Sequence, residues 1–443
     1  MATLHVGFDD TDSPKGGCTT YIAALLVDRL EKLRASFIDY PNLIRLNPNV
    51  PWKTRGNGAL CLRISCDERM VPVVFDTVAD VVEKNSDLGC EDTDPGIVLF
   101  KGAQVPREIV AFAKKTIQGI VTMSQALKLV KRFQAEALGF GTGLGIIGAL
   151  AAIGETLEGD HTFEVIAYRT RRNRGRERQV DTCSIMEMNE RTTPLTFNNV
   201  DRESQRVLIT PRGPDPILYG IRGETPEAVV DAHKLIRASE SVERWVVFRT
   251  NHGTDAHLKR VRAISQIRPY HPVVVKGRVS KAPKLVPRRH RVFVIEDATG
   301  KVDCAAYEPT GILKRIARHL LIGDEVEAHG GVKPRTPKHP RTVNLEKLQI
   351  LKLEPKRELR NPPCPRCGRT TSSMGRGQGL RCPACGFRSA DLEKVIVEES
   401  RNVVEGLYIS SLRSQRHLTK PSSRYGKEKT EKPLKMIAQW HSP

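Results

Sequence analysis

The stretch LHVGFDDTDSPKGGCTT, residues 4–20, decides how the N-terminal half of the chain is read. Its first five residues are a short apolar run that reads as a buried strand. The run ends in three acids within four positions, Asp9, Asp10 and Asp12. Lys15, Gly16 and Gly17 then let the backbone turn, and Cys18-Thr19-Thr20 opens residues 21–34, whose apolar positions recur at helical spacing. A strand, an acidic turn and a helix suit a magnesium-nucleotide site, because Mg²⁺ takes oxygen ligands and bridges to phosphate. Asp9, Asp10 and Asp12 are candidates to hold the ion, Gly16 and Gly17 to approach phosphates, and Thr19 or Thr20 to accept a phosphoryl group. A structural reading makes the aspartates helix caps and Thr19 the N-cap. Both readings hold together, since helix N-termini also bind phosphate.

Working outward, ALCLRISC (59–66) alternates as a strand, 71–84 reads as a helix and GIVLF (96–100) as a strand, which makes one β-α-β unit. A second follows much later: RVLITP (206–211), a helix over 225–238 and RWVVFRTN (244–251). Two such units build a ferredoxin-like sandwich. The material between them, with a helix at MSQALKLVKRF (123–133), is too long for a loop. The expectation is therefore interleaved domains: a nucleotide-binding domain of 1–58 and 101–205, and a ferredoxin-like domain of 59–100 and 206–265. A sequential arrangement is the competing possibility.

From 271 to 353 the pattern turns to β, with five strands at 273–279, 291–297, 302–308, 324–332 and 344–353 and a helix (311–321) between the third and fourth. That layout predicts an OB-fold over 266–355, a barrel that often holds single-stranded nucleic acid. Cys364-x2-Cys367, fourteen residues, then Cys382-x2-Cys385 has zinc-ribbon spacing and predicts a closed four-thiolate zinc site over 360–390. Its hairpin tip, GRGQG (375–379), carries Arg376, which suits a phosphate backbone or a plain turn equally. Residues 391–443 read as a basic helix followed by a polar, flexible tail.

The chain of 443 residues has 71 Lys and Arg against 51 acids, a formal charge of +20. A surplus of this size favours a polyanionic partner, with a general arginine bias as the bland alternative. It is clustered: six arginines lie between Arg169 and Arg178, and eight Lys or Arg against two Glu between Ser411 and Met436. No apolar run approaches the roughly 20 residues that span a bilayer, and no signal-peptide pattern is evident. A cytoplasmic enzyme is expected. The six cysteines outside the ribbon are scattered, as ordinary thiols are.

Weaker motifs remain. GFGTGLGIIGAL (139–150) resembles a phosphate loop, with Gly143 and Gly145 as candidate contacts, but no clear strand precedes it and it lacks the Lys-Ser/Thr of a P-loop. Lys53 and Arg55 in KTRGNG suit an anionic nucleotide or a solvated turn. PILYGIRGET (216–225) and TNHGTDAHL (250–258) read as binding loops at strand ends.

Taken in order, GFDDTDS with CTTY, LIRLNP with KTRGNGA, GIIGALAAIG, LYGIRGE, TNHGTD, DATGKVDCAAYEPT, the ribbon with GRGQG, and RHLTKP resemble the archaeal 2-agmatinylcytidine synthetase family over nearly the whole chain. That family modifies the isoleucine tRNA that decodes AUA. The resemblance implies a kinase-like domain that phosphorylates the C2 oxygen of the wobble cytidine in a CAU anticodon. Agmatine then displaces the phosphate, and ATP ends as AMP and two phosphates. It also implies autophosphorylation at Thr19, Mg²⁺ on Asp9 and Asp12 and structural Zn²⁺. ATP contacts are expected from Lys15, Gly16, Gly17, Thr20, Lys53, Arg55, Gly143 and Gly145. For dicationic agmatine, Asp201, Glu224 and Asp255 are candidates by composition, with Tyr219 and Arg222 beside them. Arg376, Arg416, His417 and Lys420 are expected on the tRNA, with the target base flipped out. One departure stands out: the family's glycine loop reads GRGLIG, and Leu144 occupies the arginine position here. Lys53 or Arg55 would have to supply the missing cation.

The fold expected is thus α+β and multidomain: kinase-like, ferredoxin-like, OB-fold and zinc ribbon. Two other functions compete with the ATP-dependent tRNA ligase. One is a non-catalytic single-strand-binding protein built on the OB-fold and ribbon; the other is a kinase or ATPase regulated by RNA. The acidic N-terminal motif separates them, because a binding module has no need of it.

Overall fold

Strand β1 (Ala2–Asp9) is buried on both faces, with Leu4, Val6 and Phe8 on one and His5 and Gly7 on the other, and both of its edges are paired. It runs antiparallel to β3 (Gly58–Cys66) on one side, with Leu4 opposite Ile64, and to β4 (Gly96–Lys101) on the other, with Val6 opposite Leu99. The structure, a computed structural model, describes residues 1–54, 56–432 and 435–442. Leu4, Val6 and Phe8 are fully buried in a core shared with α1 (Thr19–Lys32) and α2 (Val71–Asn85). The opposite face is covered by helix α3 (Gly145–Gly154), which comes so close that a side chain at Gly7 would lie 2.1 Å from the Ala149 carbonyl oxygen.

The remaining strands are β2 (Asn42–Arg45), β5 (Glu136–Gly139), β6 (Thr162–Arg169), β7 (Thr196–Phe197), β8 (Ile217–Gly223) and β9 (Val242–Thr250). They complete one sheet in the order β5-β4-β1-β3-β2-β9-β6-β8-β7, with the short strand Ser36–Phe37 beside β3. Its two halves meet at a parallel pairing, Arg249 opposite Asn42 and Thr250 opposite Leu43. This pairing does not follow the interleaved division. The strands of 59–100 lie beside β1 and β2, while the strand of 217–223 pairs with β6 and β7. Two β-α-β patterns are visible in sequence, but partner choice is long-range and invisible to periodicity.

Five strands close the OB barrel: β10 (Pro272–Val286), β11 (His290–Asp297), β12 (Gly300–Ala306), β13 (Glu325–Lys333) and β14 (Thr342–Lys352). The short helix α4 (Ile312–Ala317) lies between the third and fourth, as its position in the sequence predicts. Beyond the ribbon no α-helix forms among the described residues. The β-branched run Val395, Ile396 and Val397 instead makes β16 (Val395–Glu399), paired with β15 (Lys356–Arg360), and β17 (Gly406–Ile409) joins the edge of β14. The described residues of 411–442 form a strap rather than a free tail, packed across the N-terminal half. Arg424 is completely buried, donating to Glu224 and Asp160, and Trp440 packs edge-on against Tyr40 and Phe37.

Candidate functional site

The acid cluster sits where β1 ends against the N-terminus of α3. Gly148 allows this: a side chain there would reach within 1.8 Å of Asp9 Oδ2, and one at Gly145 would meet the backbones of Gly96, Asp9 and Asp94. The glycine run is thus chiefly a docking surface for a helix against the acid-bearing strand. A strand, β5, does precede it, lying at the sheet edge and mostly exposed. Gly143 has a left-handed backbone (φ 67°), in a turn held by Asp94, whose carboxylate accepts from Thr142 N at 2.8 Å and Oγ1 at 2.6 Å. Asp10 (φ 62°) accepts from the Asp94 backbone. Burial, with Asp10 and Asp12 beside it, pushes the Asp9 carboxyl well above the usual range. Burial likewise raises Asp10 to about 6, helped by Asp12, Asp94 and Asp92. Asp92 and Asp94, in the EDTDP turn, belong to no motif recognised in the sequence; a second acidic turn next to a strand is the signal that finds them.

A cavity opens beside this cluster, lined by Asp9, Asp10, Asp12, Lys53, Gly145 and Gly148 together with the apolar Val50, Trp52, Ile120, Val121, Leu144 and Ile147. Polar and apolar lining together suit a nucleotide. Burial lowers the pKa of Lys53, and the charges of Arg416 and Lys333 add to that. Three carboxylate oxygens do not converge on a point here, since only the ribbon cysteines form such a group among the described residues. That still fits Mg²⁺, which takes one or two carboxylates and completes its shell with phosphate and water.

A second cavity shares Asp12, Gly56 and Gly58 with the first. Thr19 and Thr20 line it, together with Arg45, Glu164, Asp215, Arg222 and His417 and the apolar Leu208, Ile209, Pro211 and Ile217. Cys18, not Thr19, is the N-cap residue; Thr19 is the first helical residue, and its hydroxyl accepts from Thr11 Oγ1 at 3.0 Å. Glu164 is the buried hub. Burial would raise its pKa, but Arg222 at 3.1 Å, His252 at 3.5 Å and Arg45 at 4.0 Å outweigh that and hold it far below the usual range. Burial in turn lowers His252 to about 3, with Arg222 contributing. His417 lies deep in the molecule and yet is exposed, because the surface it shows faces the cavity.

Several expectations are redirected. Lys15, Gly16 and Gly17 line a separate outer groove with Arg171 and Arg174. Arg55 lies outside the described residues. The agmatine candidates other than Arg222 are engaged elsewhere. Asp201 binds Ser204 and Arg413, Glu224 binds Arg424 and Lys429, Asp255 pairs with Lys347, and Tyr219 OH bonds His233. PILYGIRGET is mostly interior strand β8, not a loop. Of the clustered arginines, Arg169, Arg174 and Arg178 pair internally with Glu240, Glu243 and Asp215. Lys420 is buried against Asp160 and Glu428, and Arg416 contacts Glu346, so neither is a free grip on RNA. Arg376 is exposed at the ribbon tip.

In the ribbon, Cys364 and Cys385 Sγ are 3.6 Å apart, Cys367 and Cys382 Sγ 3.4 Å, and all four sulfurs lie within 4.8 Å of one another. Zinc–sulfur bonds of about 2.3 Å give a tetrahedral edge near ~3.8 Å, so the four thiolates fit Zn²⁺ with no open position.

Comparison with known proteins agrees with this layout. Residues 5–142 match the domain family described as TiaS TCKD domain, 143–257 the TiaS FLD domain, 273–351 the OB-fold nucleic acid binding domain and 361–403 the TiaS C-terminal zinc ribbon domain. The chain is 39% identical over 95% of its length to TiaS of Methanocaldococcus jannaschii, the 2-agmatinylcytidine synthetase of the second isoleucine tRNA, and covers 98% of that protein. Identity to the Pyrococcus horikoshii protein of the same name is 42%, over 94% of this chain and 96% of that one. Two similar solved structures are a complex of TiaS with that tRNA and ATP (TM-score 0.85, 38% identity) and a complex of TiaS with the tRNA, AMPCPP and agmatine (TM-score 0.83, 36% identity). Each covers 95% of this chain and is itself 97% covered. With this identity sustained along nearly the full length, and with the acid turn, paired cavities, barrel and ribbon all in place, the chain belongs to the family of 2-agmatinylcytidine synthetases that act on the second isoleucine tRNA.

Proposed function

We infer that this chain is an ATP-dependent ligase that joins agmatine to C2 of the wobble cytidine in the isoleucine tRNA with a CAU anticodon. The observation that carries the reading is the pair of cavities meeting at Asp12, Gly56 and Gly58. One suits a nucleotide, and the other holds Thr19 and has room for a base or an amine. A carbonyl oxygen leaves a pyrimidine poorly, and phosphorylation at the shared wall corrects that. ATP occupies the first cavity, its base against Trp52 and Leu144 and its phosphates toward the acids and Lys53. Asp9 and Asp12 would hold Mg²⁺, which neutralises phosphate charge when bound. Agmatine's chain lies along Leu208, Ile209 and Pro211 in the second cavity, whose wall carries the carboxylates Glu164 and Asp215, already beside Arg222 and Arg178. Their place on that wall, not freedom from a partner, favours them over Asp201, Glu224 and Asp255. Thr19 is the residue for autophosphorylation, since its hydroxyl lines the same cavity. The OB-fold and the exposed ribbon tip supply the RNA surface, and a cytoplasmic location suits an enzyme that meets tRNA.

The test incubates the purified, folded chain with labelled agmatine, ATP, Mg²⁺ and unmodified tRNA bearing a CAU anticodon. Label should appear in the tRNA in proportion to ATP consumed. RNA binding without label transfer would instead mark a single-strand-binding protein, and ATP consumption without transfer would mark an RNA-regulated ATPase.

A further inference from the structure

Arg45 is anchored by its backbone and left open at its head. Its N–H donates to Asn251 Oδ1 at 2.8 Å, and its carbonyl accepts from Asn251 Nδ2 at 3.0 Å. Its side chain is only 15% exposed, yet Nε is buried without a hydrogen-bond partner. Its one ion-pair partner among the described residues, Glu164, stands 4.0 Å away and is already engaged by Arg222 at 3.1 Å. A buried guanidinium this poorly satisfied points to an anion supplied from outside the chain.

His417 reaches the same place from the C-terminal strap. Its carbonyl accepts from Gly253 N at 2.8 Å, and the Leu418 carbonyl accepts from Asp255 N at 2.7 Å, so the backbone is pinned on both sides of the ring. The ring stands edge-on to His252, 4.9 Å between centroids, and among the described residues neither ring nitrogen makes a hydrogen bond within the protein. Both heads converge on one point. A side chain at Gly56 would place its first carbon 3.2 Å from His417 Nε2 and 3.4 Å from Arg45 Nη1, and one at Gly58 would stand 3.2 Å from Arg45 Nη1. Gly56 and Gly58 are the wall that both cavities share.

We propose that Arg45 and His417 form the subsite that holds the phosphoryl group as it crosses from the nucleotide cavity to the acceptor cavity. The proposal rests on the ligase reading above and adds to it two residues, one of them delivered by the strap. In the first step the P–O bond to the nucleotide breaks, its electron pair leaving with the nucleotide, while a P–O bond to the cytidine O2 forms. In the second, the agmatine amine attacks C2 and the C2–O bond breaks. Phosphate departs with that oxygen and takes up the amine proton. Both steps build charge on phosphoryl oxygens at the shared wall, within reach of one fixed cation and one imidazole N–H. The neighbouring Arg45 and burial keep His417 uncharged, well below the usual histidine range. An uncharged donor holds phosphate without adding a third cation beside Arg45 and Arg222, in a cavity that must also admit a dicationic amine.

The experiment compares the full-length wild type with His417→Ala, His417→Gln and Arg45→Lys, each checked for folding by its thermal transition. Turnover in the agmatine-transfer assay should fall about 100-fold or more for His417→Ala, the usual cost of removing one preorganised donor. The tRNA Kd and the KM for agmatine should stay within roughly threefold of wild type, because neither ground state contains the phosphoryl group at the wall. Inorganic phosphate, used as a product inhibitor, should inhibit both the His417 and the Arg45 variants at least tenfold more weakly. Should His417→Ala melt early, His417→Gln carries the same reading. Wild-type turnover in a folded His417 variant overturns the proposal, and so does a loss that follows tRNA affinity or agmatine KM. A wild type that fails to transfer label at all sinks the ligase reading instead, which the variants do not address.

Discussion

Replacing Gly148 with alanine separates the chemistry of the acid turn from the packing beneath it. The new Cβ would lie 1.8 Å from Asp9 Oδ2, 2.6 Å from Cγ and 2.9 Å from Cβ, so the carboxylate must rotate away and, because rotation leaves Asp9 Cβ in place, helix and strand must also part slightly. An off-rotamer side chain costs about 0.5–1.5 kcal/mol, and Gly→Ala within a helix returns about 1 kcal/mol. The two offset, and the remaining Cβ–Cβ crowding, about 1 kcal/mol or more of overpacking, should lower the thermal transition by a few degrees. Asp9, however, would no longer face the nucleotide cavity, and tRNA-dependent ATP turnover should fall at least ~100-fold, the scale for losing a preorganised electrostatic group. Gly145→Ala is the contrasting control. Its Cβ would meet only backbone, Gly96 N at 2.4 Å and the carbonyl oxygens of Asp9 at 2.6 Å and Asp94 at 3.0 Å. No side chain can swing away, so overpacking of about 1–3 kcal/mol should appear as lost stability. The assays are turnover at saturating ATP and thermal melting of both variants. If Gly148→Ala turns over at the wild-type rate, the idea that α3 fixes the Asp9 carboxylate is wrong.

Arg424→Met should lower stability by about 2–3 kcal/mol, because Glu224 and Asp160 lose their shared buried cation and keep only Lys429 and Lys420; chemical denaturation reads this directly, and a loss under about 1 kcal/mol would show the strap to be loosely held. Glu346 gives a pH signature. Burial raises it, but His257 at 2.9 Å together with Arg416 and Thr419 outweighs that and lowers it to about 2, from an ordinary value of 4.5. A depressed carboxylate contributes stability above its unfolded pKa and loses it as pH falls through the folded one. The wild type should therefore lose stability relative to Glu346→Gln between about pH 4.5 and 2, with a difference slope approaching ~1.4 kcal/mol per pH unit. Parallel acid-unfolding curves for the two proteins would contradict it.

Much of this molecule is legible in its sequence because the signals are local. Alternation marks the barrel strands, cysteine spacing marks the ribbon, and the DDTD turn marks the nucleotide cavity. What escapes is long-range. Nothing local to RHLTKP or to Arg424 says that a basic, polar segment crosses the protein to pair with Asp160 and Glu224, and a solvated tail has the same composition. The acids that composition nominates for agmatine fail for the same reason. Asp201, Glu224 and Asp255 line neither cavity and are each held by the strap or the barrel, and a composition argument sees neither place nor partner. LYGIRGE reads as a loop because its two glycines suggest turns; in the sheet, Gly220 lies against Glu164, where a side chain would come within 2.9 Å of Oε1. The glycine run at 139–148 reads as approaching phosphate, whereas most of it approaches backbone.

The parallel joint between β2 and β9 has a mechanical consequence. Asn42 and Leu43 pair with Arg249 and Thr250 across it, and Arg249 donates from within the core to Asp39 at 2.5 Å. Hydrogen-bonded ribbon runs without interruption from the strand that ends in Asp9 to the strand that carries Glu164. The spacing between donor and acceptor chambers is therefore set like a span in a truss, with no break in the sheet between them. An enzyme built this way does not bring its two chambers together by bending that sheet; the target base is carried to the wall they share.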